Sequence, residues 1–348
     1  MPVTIVSFII VLGILIFVHE FGHFLAAKAV GIRVERFSLG FPPRLVGKKI
    51  GDTDYCISAI PFGGYVKMAG MIDESLDQEG IKGEPWEFMS KPLWARFLAI
   101  FSGPLMNLLL AVFVFGFLAY WTGIGVPVGP VIGEVQPGMP ADSAGFRPGD
   151  RILQIDEHRV SSWSDVTRWV HASPGRRLMI VRQRDQAIDT VFVTPMRDVV
   201  QNVGLIGIAP ETRIQRVGPV RALTSGASYC WYLSKLLARS LVLMASGQVS
   251  WREGLGGPVR IAQMAGESAR RGFSSFLAFL GFISLNLGWI NLLPVPALDG
   301  GHLLLLTIEG VTRRPVSNRV RLIVQQIGMV LLIAIMILAV INDLLRIL

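Results

Sequence analysis

From Val3 to Val18 the chain carries no charged residue. This opens the first of four stretches in which apolar positions continue for about 20 residues, the length a helix needs to cross a bilayer. Transmembrane helices are predicted over residues 3–30, 93–121, 273–293 and 320–345. The third breaks at Pro294 and Pro296 and resumes through Leu306. Between the first two spans the pattern changes. Residues 33–70 hold Phe41-Pro42-Pro43, an alternating run over 55–60, and Pro61-Phe62-Gly63-Gly64-Tyr65. Alternation punctuated by Pro and Gly predicts short strands and turns. Such a segment at membrane depth must be surrounded by protein or line a water-filled cavity. Residues 126–197 read as a compact module, with strands at 131–135 and 151–155 and a helix from Trp163 to Val170. Residues 229–244 are apolar but interrupted by Lys235 and Arg239. This predicts an amphipathic helix at the interface, with a fifth span as the alternative. The expected architecture is a polytopic α-helical membrane protein with about four spans, a membrane-associated β segment and one inserted α+β domain. Its parts are residues 1–125, 126–197, 198–272 and 273–348.

Composition agrees. The chain is 51% hydrophobic and 17% charged, the balance of a polytopic membrane protein rather than a soluble enzyme. The net charge of +8 has a topological reading. Basic residues gather in the loop between spans one and two and at the adjoining span ends (Lys28, Arg33, Arg36, Arg44, Lys48, Lys49, Lys67, Lys82, Lys91, Arg96), and likewise between spans three and four (Arg313, Arg314, Arg319, Arg321). Both loops fall on one side, which the positive-inside rule makes cytoplasmic. Both termini and the inserted domain then face outward. No aromatic-rich basic face suggests nucleic acid as a partner; the basic flanks meet the lipid bilayer. Cys56 and Cys230 form no CxxC and give no redox or metal signature. The N-terminus lacks a positive n-region and a small-residue cleavage site, so residues 3–30 are expected to be retained.

The candidate chemistry lies inside the first span. His19-Glu20-Phe21-Gly22-His23 is a His-Glu-x-x-His sequence at bilayer depth, where ionisable groups are costly and usually functional. Four residues apart on a helix, His19 and His23 project from one face and can grip one zinc ion per chain. Glu20 is placed to act as general base without being a ligand. A catalytic zinc usually takes three protein ligands. The best candidate for the third is Asp299, in Asn291-Leu292-Leu293-Pro294-Val295-Pro296-Ala297-Leu298-Asp299-Gly300-Gly301-His302, where the prolines break the helix and open a cavity. His302 is a rival, with an outer or gating role if Asp299 is the ligand.

Ser143-Ala144-Gly145-Phe146-Arg147-Pro148-Gly149-Asp150-Arg151-Ile152-Leu153 resembles the most specific phrase of the PDZ domains carried by bacterial proteases. A small sandwich of other descent is the alternative. Three features resemble the site-2 protease family, peptidase family M50, in its bacterial RseP-type branch: the His19–His23 motif, the PDZ-like insert, and the Asn291-to-Asp299 motif. Gly103-Pro104-Leu105-Met106-Asn107, the Pro61-to-Met68 run and Gly256-Gly257-Pro258-Val259 resemble that group too, so the likeness covers nearly the whole chain. It differs from the best-known relative in having one PDZ-like module instead of two in tandem. The resemblance implies a zinc endopeptidase of the bacterial inner membrane. Its substrates are expected to be single-pass proteins cut within their transmembrane segment, such as anti-sigma factor-like regulators or signal-peptide remnants. It implies that the PDZ-like module gates access through peptide C-termini or periplasmic regions. It also implies substrate contacts at Asn291, Pro294, Gly63, Gly64, Tyr65 and Asn107, with residues 55–68 receiving an unwound substrate by edge addition. Two other functions stay open: a catalytically silent membrane scaffold, and a zinc transporter. Intact Glu20 disfavours the scaffold, and convergence of the polar groups on one point disfavours the transporter.

Overall fold

The computed structural model describes residues 2–71, 82–248 and 257–347. Gly256 of the Gly256–Val259 phrase and the side chains of Pro61 and Phe62 lie outside the described part. The chain forms two compact units, one of residues 1–118, 225–234 and 250–348, the other of residues 119–224 and 235–249.

Among the described residues, four helices are long and apolar enough to cross a membrane. They are α1 (Pro2–Ala29), α2 (Leu93–Thr122), and the two that we number α7 (Phe273–Asn291) and α9 (Asn318–Ile347). These agree with the four apolar stretches, because in lipid only a helix satisfies every backbone group within one segment. The helix α5 (Pro219–Ala245), which holds Lys235 and Arg239, is not among the four. Two shorter helices complete the membrane unit, α6 (Pro258–Arg270) and α8 (Asp299–Thr312). The expected break in the third stretch is real: Leu292 to Leu298 separate α7 from α8. On α1 the buried positions Ser7, Val11, Leu15, His19, Gly22, His23 and Ala26 make one stripe, while Val3, Ile5, Val6, Ile10, Ile14 and Phe17 stay exposed for lipid. Val11 and Leu15 pack against Val114 of α2, Ala265 of α6, and Phe279 and Leu280 of α7. Nearer the other end of α1, Ala27 joins Ile32, Val34, Met68, Phe88, Ala99, Ile100, Leu303 and Leu306 in a second core.

Residues 33–70 differ from the short strands expected. They form two long strands, β1 (Val34–Ile50) and β2 (Thr53–Met68), whose irregular register folds each into two segments. Residues 44–50 lie beside 53–58, residues 36–39 lie beside 54–57, and 34–39 also pair with 64–68. The order of segments is therefore 44–50, 53–58, 34–39, 64–68, and residues 64–68 lie at an edge. The fold-back needs Gly40: its φ is +93°, and a Cβ there would stand 2.7 Å from the Ser58 carbonyl oxygen.

In the second unit, β3 (Ile124–Val135), β4 (Arg151–Ile155), β6 (Leu178–Arg184) and β7 (Ala187–Val193) form a sheet that β10 (Ile208–Gln215) extends at the β3 edge, while β5 (His158–Arg159) pairs with β4. The sheet thus reaches beyond residue 197, where the sequence pattern placed the module's end; β8 (Met196–Asp198) and β9 (Val203–Leu205) carry the chain back so that β10 can pair with β3. A one-turn helix α3 (Pro140–Ser143) and the helix α4 (Trp163–His171) complete the unit. Ile132, Ile152, Ile155, Leu178, Ile180 and Ile206 fill its core with Val166 and Val170 of α4. α4 starts at a capping box. The Ser162 hydroxyl and the Ser161 and Ser162 amides hydrogen-bond to Asp165, which lowers its pKa to about 2. Asp150 is fully buried. Burial alone raises a carboxyl pKa, yet Asp150 stays below the usual value because Arg184 (2.7 Å), the Arg147 amide (2.9 Å) and Arg182 (3.0 Å) all donate to it. That pairing ties β6 to the Gly145–Asp150 turn.

Candidate metal centre

Two elements bring three donors to one point. α1 presents His19 and His23 one turn apart; α8 begins at Asp299, immediately after the proline-broken loop. His19 Nε2 stands 3.0 Å from Asp299 Oδ2 and 3.2 Å from His23 Nε2, and His23 Nε2 stands 3.4 Å from Asp299 Oδ1. Donors bound to one tetrahedral ion at about 2.0–2.2 Å stand about 3.3 Å apart. These three are therefore spaced as ligands of a single ion, and among the described residues they are the cluster of His, Cys, Asp and Glu able to hold one.

The outer contacts fit the same reading. His23 Nδ1–H donates to the Ala99 carbonyl oxygen at 2.9 Å, which leaves Nε2 with a free lone pair. His19 Nδ1 lies 3.2 Å from Asn107 Nδ2, while Asn107 Oδ1 is buried without a hydrogen-bond partner. A half-turn of that carboxamide pairs Oδ1 with His19 Nδ1–H, the tautomer whose Nε2 lone pair faces His23 and Asp299. Asn107 is held in place from the other side, because Ser284 Oγ of α7 donates to its backbone carbonyl at 2.7 Å. α1 and α2 approach closely enough for these bonds because Gly22 and Gly103 face each other's helix. A Cβ on Gly22 would lie 2.3 Å from the Ser102 carbonyl oxygen, and one on Gly103 would lie 2.2 Å from His23 Nε2.

The three donors line a cavity of about 760 Å³. Glu20 lines it too, beside the donors; Gly64 of β2 runs nearby, where a Cβ would stand 2.9 Å from the Ser38 carbonyl oxygen and at an ordinary contact distance of 3.5 Å from Glu20 Cγ. Gly63, Gly64, Tyr65 and Asn291 line the same cavity, as does His302. Arg36 reaches the cavity as well and donates to the Tyr65 hydroxyl at 2.9 Å. Two expected substrate contacts sit elsewhere. Pro294 is exposed and outside the cavity lining. Asn107 is fully buried, with its side chain on His19 instead of in the cavity. Gln325 of α9 lines the cavity and was not anticipated; the signal was a Gln-Gln pair inside an otherwise apolar span.

Comparison with known proteins gives the family. The profile of peptidase family M50 matches residues 7–335. A protein of Mesorhizobium japonicum named as a zinc metalloprotease is 35% identical, over 96% of this chain and 96% of its own. One from Clostridium acetobutylicum, similarly named, is 34% identical over 98% and 97%. The zinc metalloprotease RasP of Geobacillus kaustophilus is 30% identical over 98% and 97%. A solved PDZ domain of a Listeria monocytogenes SdrC-like protein aligns with 25% of this chain and 90% of its own at 17% identity and a TM-score of 0.22, a likeness too slight to argue from. A profile match over nearly the whole chain, with relatives at this identity and coverage, leaves one conclusion: this chain is a member of peptidase family M50.

Proposed function

We propose that this protein is a zinc-dependent intramembrane endopeptidase that cuts the transmembrane segments of single-pass membrane proteins. The carrying observation is the convergence of His19 and His23, on a helix apolar and long enough to span a membrane, with Asp299 at the start of α8, all within hydrogen-bonding distance of one another and with Glu20 in the same cavity. His19, His23 and Asp299 hold the metal. Zinc bound there supplies a Lewis acid and brings the pKa of water toward neutrality. Glu20 is the general base, taking a proton from the attacking water and returning it to the leaving amide nitrogen. A helical substrate hides its amides, so it must unwind before cleavage. The 64–68 edge segment, at the cavity wall, is suited to receive it as an added strand. Gly63 and Gly64 lie in the cavity wall along the approach to that edge, and Asn291 hydrogen-bonds the substrate main chain.

Residues 119–224 act as a PDZ-like gate. Val166, Thr167 and Val170 of α4 and residues 205–208 line a groove of about 190 Å³, shaped for an extended peptide end. The basic loops put both termini and this unit on the extracytoplasmic side of a bacterial inner membrane, and make the 33–70 segment cytoplasmic. Anti-sigma factor-like regulators trimmed by an earlier protease, and signal-peptide remnants, have the single span and free end that such a gate would test.

The experiment compares Glu20→Gln with Asp299→Ala. Loss of the base is expected to lower cleavage by about 10²- to 10⁴-fold while zinc content stays at one per chain. Loss of the ligand removes zinc itself. Near-normal cleavage by Glu20→Gln refutes the base assignment. Full zinc in Asp299→Ala together with its loss in His302→Ala moves the third ligand to His302. Single-pass proteins accumulating on the Glu20→Gln enzyme in cells identify the substrates.

A further inference from the structure

Most of α9 faces outward: Ile323, Ile327, Val330, Leu331, Ile333 and Ile337 are all exposed. Gln325 is the exception that matters. It is 5% exposed, buried in the protein, and lines the cavity that holds His19, Glu20, His23 and Asp299. Among the described residues its carboxamide has no hydrogen-bond partner. A donor and acceptor left unpaired at bilayer depth are costly, and polar groups retained there face a functional interior.

The rest of α9 is anchored so that Gln325 cannot turn away. One turn before it, Arg321 pairs with the buried Glu309 of α8, which Arg96 of α2 also contacts at 3.0 Å. Just after it, Gly328 meets the loop: a Cβ there would lie 2.3 Å from the Pro296 carbonyl carbon. At the far end, Asp343 accepts from the Gly257 and Arg260 amides at 3.1 and 3.0 Å and so caps α6. Arg321, Gln325 and Gly328 fall on one helical face.

We infer that Gln325 binds the main chain of the unwound substrate on the edge opposite to the one that pairs with residues 64–68. This rests on the intramembrane-peptidase reading above. An extended strand in lipid has two rows of N–H and C=O groups, and both must be satisfied. The β2 edge serves one row. A primary carboxamide offers a donor and an acceptor together, the complement of a peptide unit. Among the described residues the cavity lining contains two, Asn291 at the end of α7 and Gln325 on α9, and together they serve the other row.

The test uses the full chain in lipid nanodiscs, loaded with zinc, and two chelating probes. One is a peptidyl hydroxamate that carries several backbone amides; the other is acetohydroxamate, which carries none. Gln325→Leu keeps the volume and removes both hydrogen-bonding functions. It is expected to weaken the peptidyl hydroxamate about 10- to 100-fold, the cost of leaving buried backbone groups unpaired. Acetohydroxamate affinity and one zinc per chain should stay at the wild-type level. Gln325→Asn should fall between, and Gln326→Leu, at an exposed neighbour, should match wild type. Equal affinities of wild type and Gln325→Leu for the peptidyl probe overturn the proposal. So does equal weakening of both probes or loss of zinc, which would make the residue structural. Wild-type protein that binds neither zinc nor either hydroxamate removes the metal centre itself, an outcome distinct from an unaffected variant.

Discussion

Adding one methyl group at Gly103 tests how tightly the helix crossing sets the metal centre. A Cβ built there stands 2.2 Å from His23 Nε2, 2.5 Å from Cε1 and 2.8 Å from Cδ2, against an ordinary contact of 3.4 Å or more. The imidazole must retreat by about 1 Å, whereas metal–ligand distances tolerate about 0.2 Å. Retreat is blocked. His23 Nδ1 is tied to Ala99 at 2.9 Å on the same helix as Gly103, and α1 cannot roll away without opening the Gly22–Ser102 contact. Gly103→Ala is therefore expected to cost about 1–3 kcal/mol in packing, and to weaken zinc binding at least as much as loss of an outer ligand contact, about 10- to 100-fold. The assay is competition with a graded chelator on purified protein, with bound zinc read by atomic absorption and helix content by circular dichroism. Gly13→Ala on the same α1 is the control. Nothing lies within 4 Å of its Cβ, so it should keep full zinc affinity and gain slightly from helix propensity. Wild-type zinc affinity in Gly103→Ala would refute the argument that close helix packing positions His23.

Two further outcomes follow from topology and from the gate. With Cys56 and Cys230 replaced, a cysteine at position 158 should react with an impermeant thiol reagent in intact cells while one at 314 should not; labelling at 314 overturns the four-span arrangement. Thr167→Trp fills the groove between α4 and residues 205–208 and should slow cleavage of a pre-trimmed single-pass substrate relative to its untrimmed form; an unchanged ratio of the two rates argues against gating through that groove.

Some features of this protein are written locally and were legible without the fold. The four apolar helices follow from hydrophobic runs of bilayer length, because within one segment only a helix satisfies every backbone group. The pairing of His19 with His23 needs only the pitch of one helix. Asp299 could be nominated because two prolines and a carboxylate at membrane depth are too expensive to be incidental. Other features depend on how separate elements meet. Residues 33–70 carried strand signals but not their order; only the doubled register of β1 and β2 places 64–68 at the edge beside Glu20. The sheet of the second unit extends to β10 because that strand completes a sheet begun at β3, a pairing that no local pattern announces. Asn107 was expected to touch substrate, yet the approach of α1 to α2 at Gly22 and Gly103 turns its amide onto His19. Gln325 could not be told from its neighbour Gln326 until Arg321, Gly328 and Asp343 fixed the face that α9 turns inward. Helical pitch carries information across four residues; the distance between two helices is set by which side chains are missing where they cross, and that only the assembled structure decides.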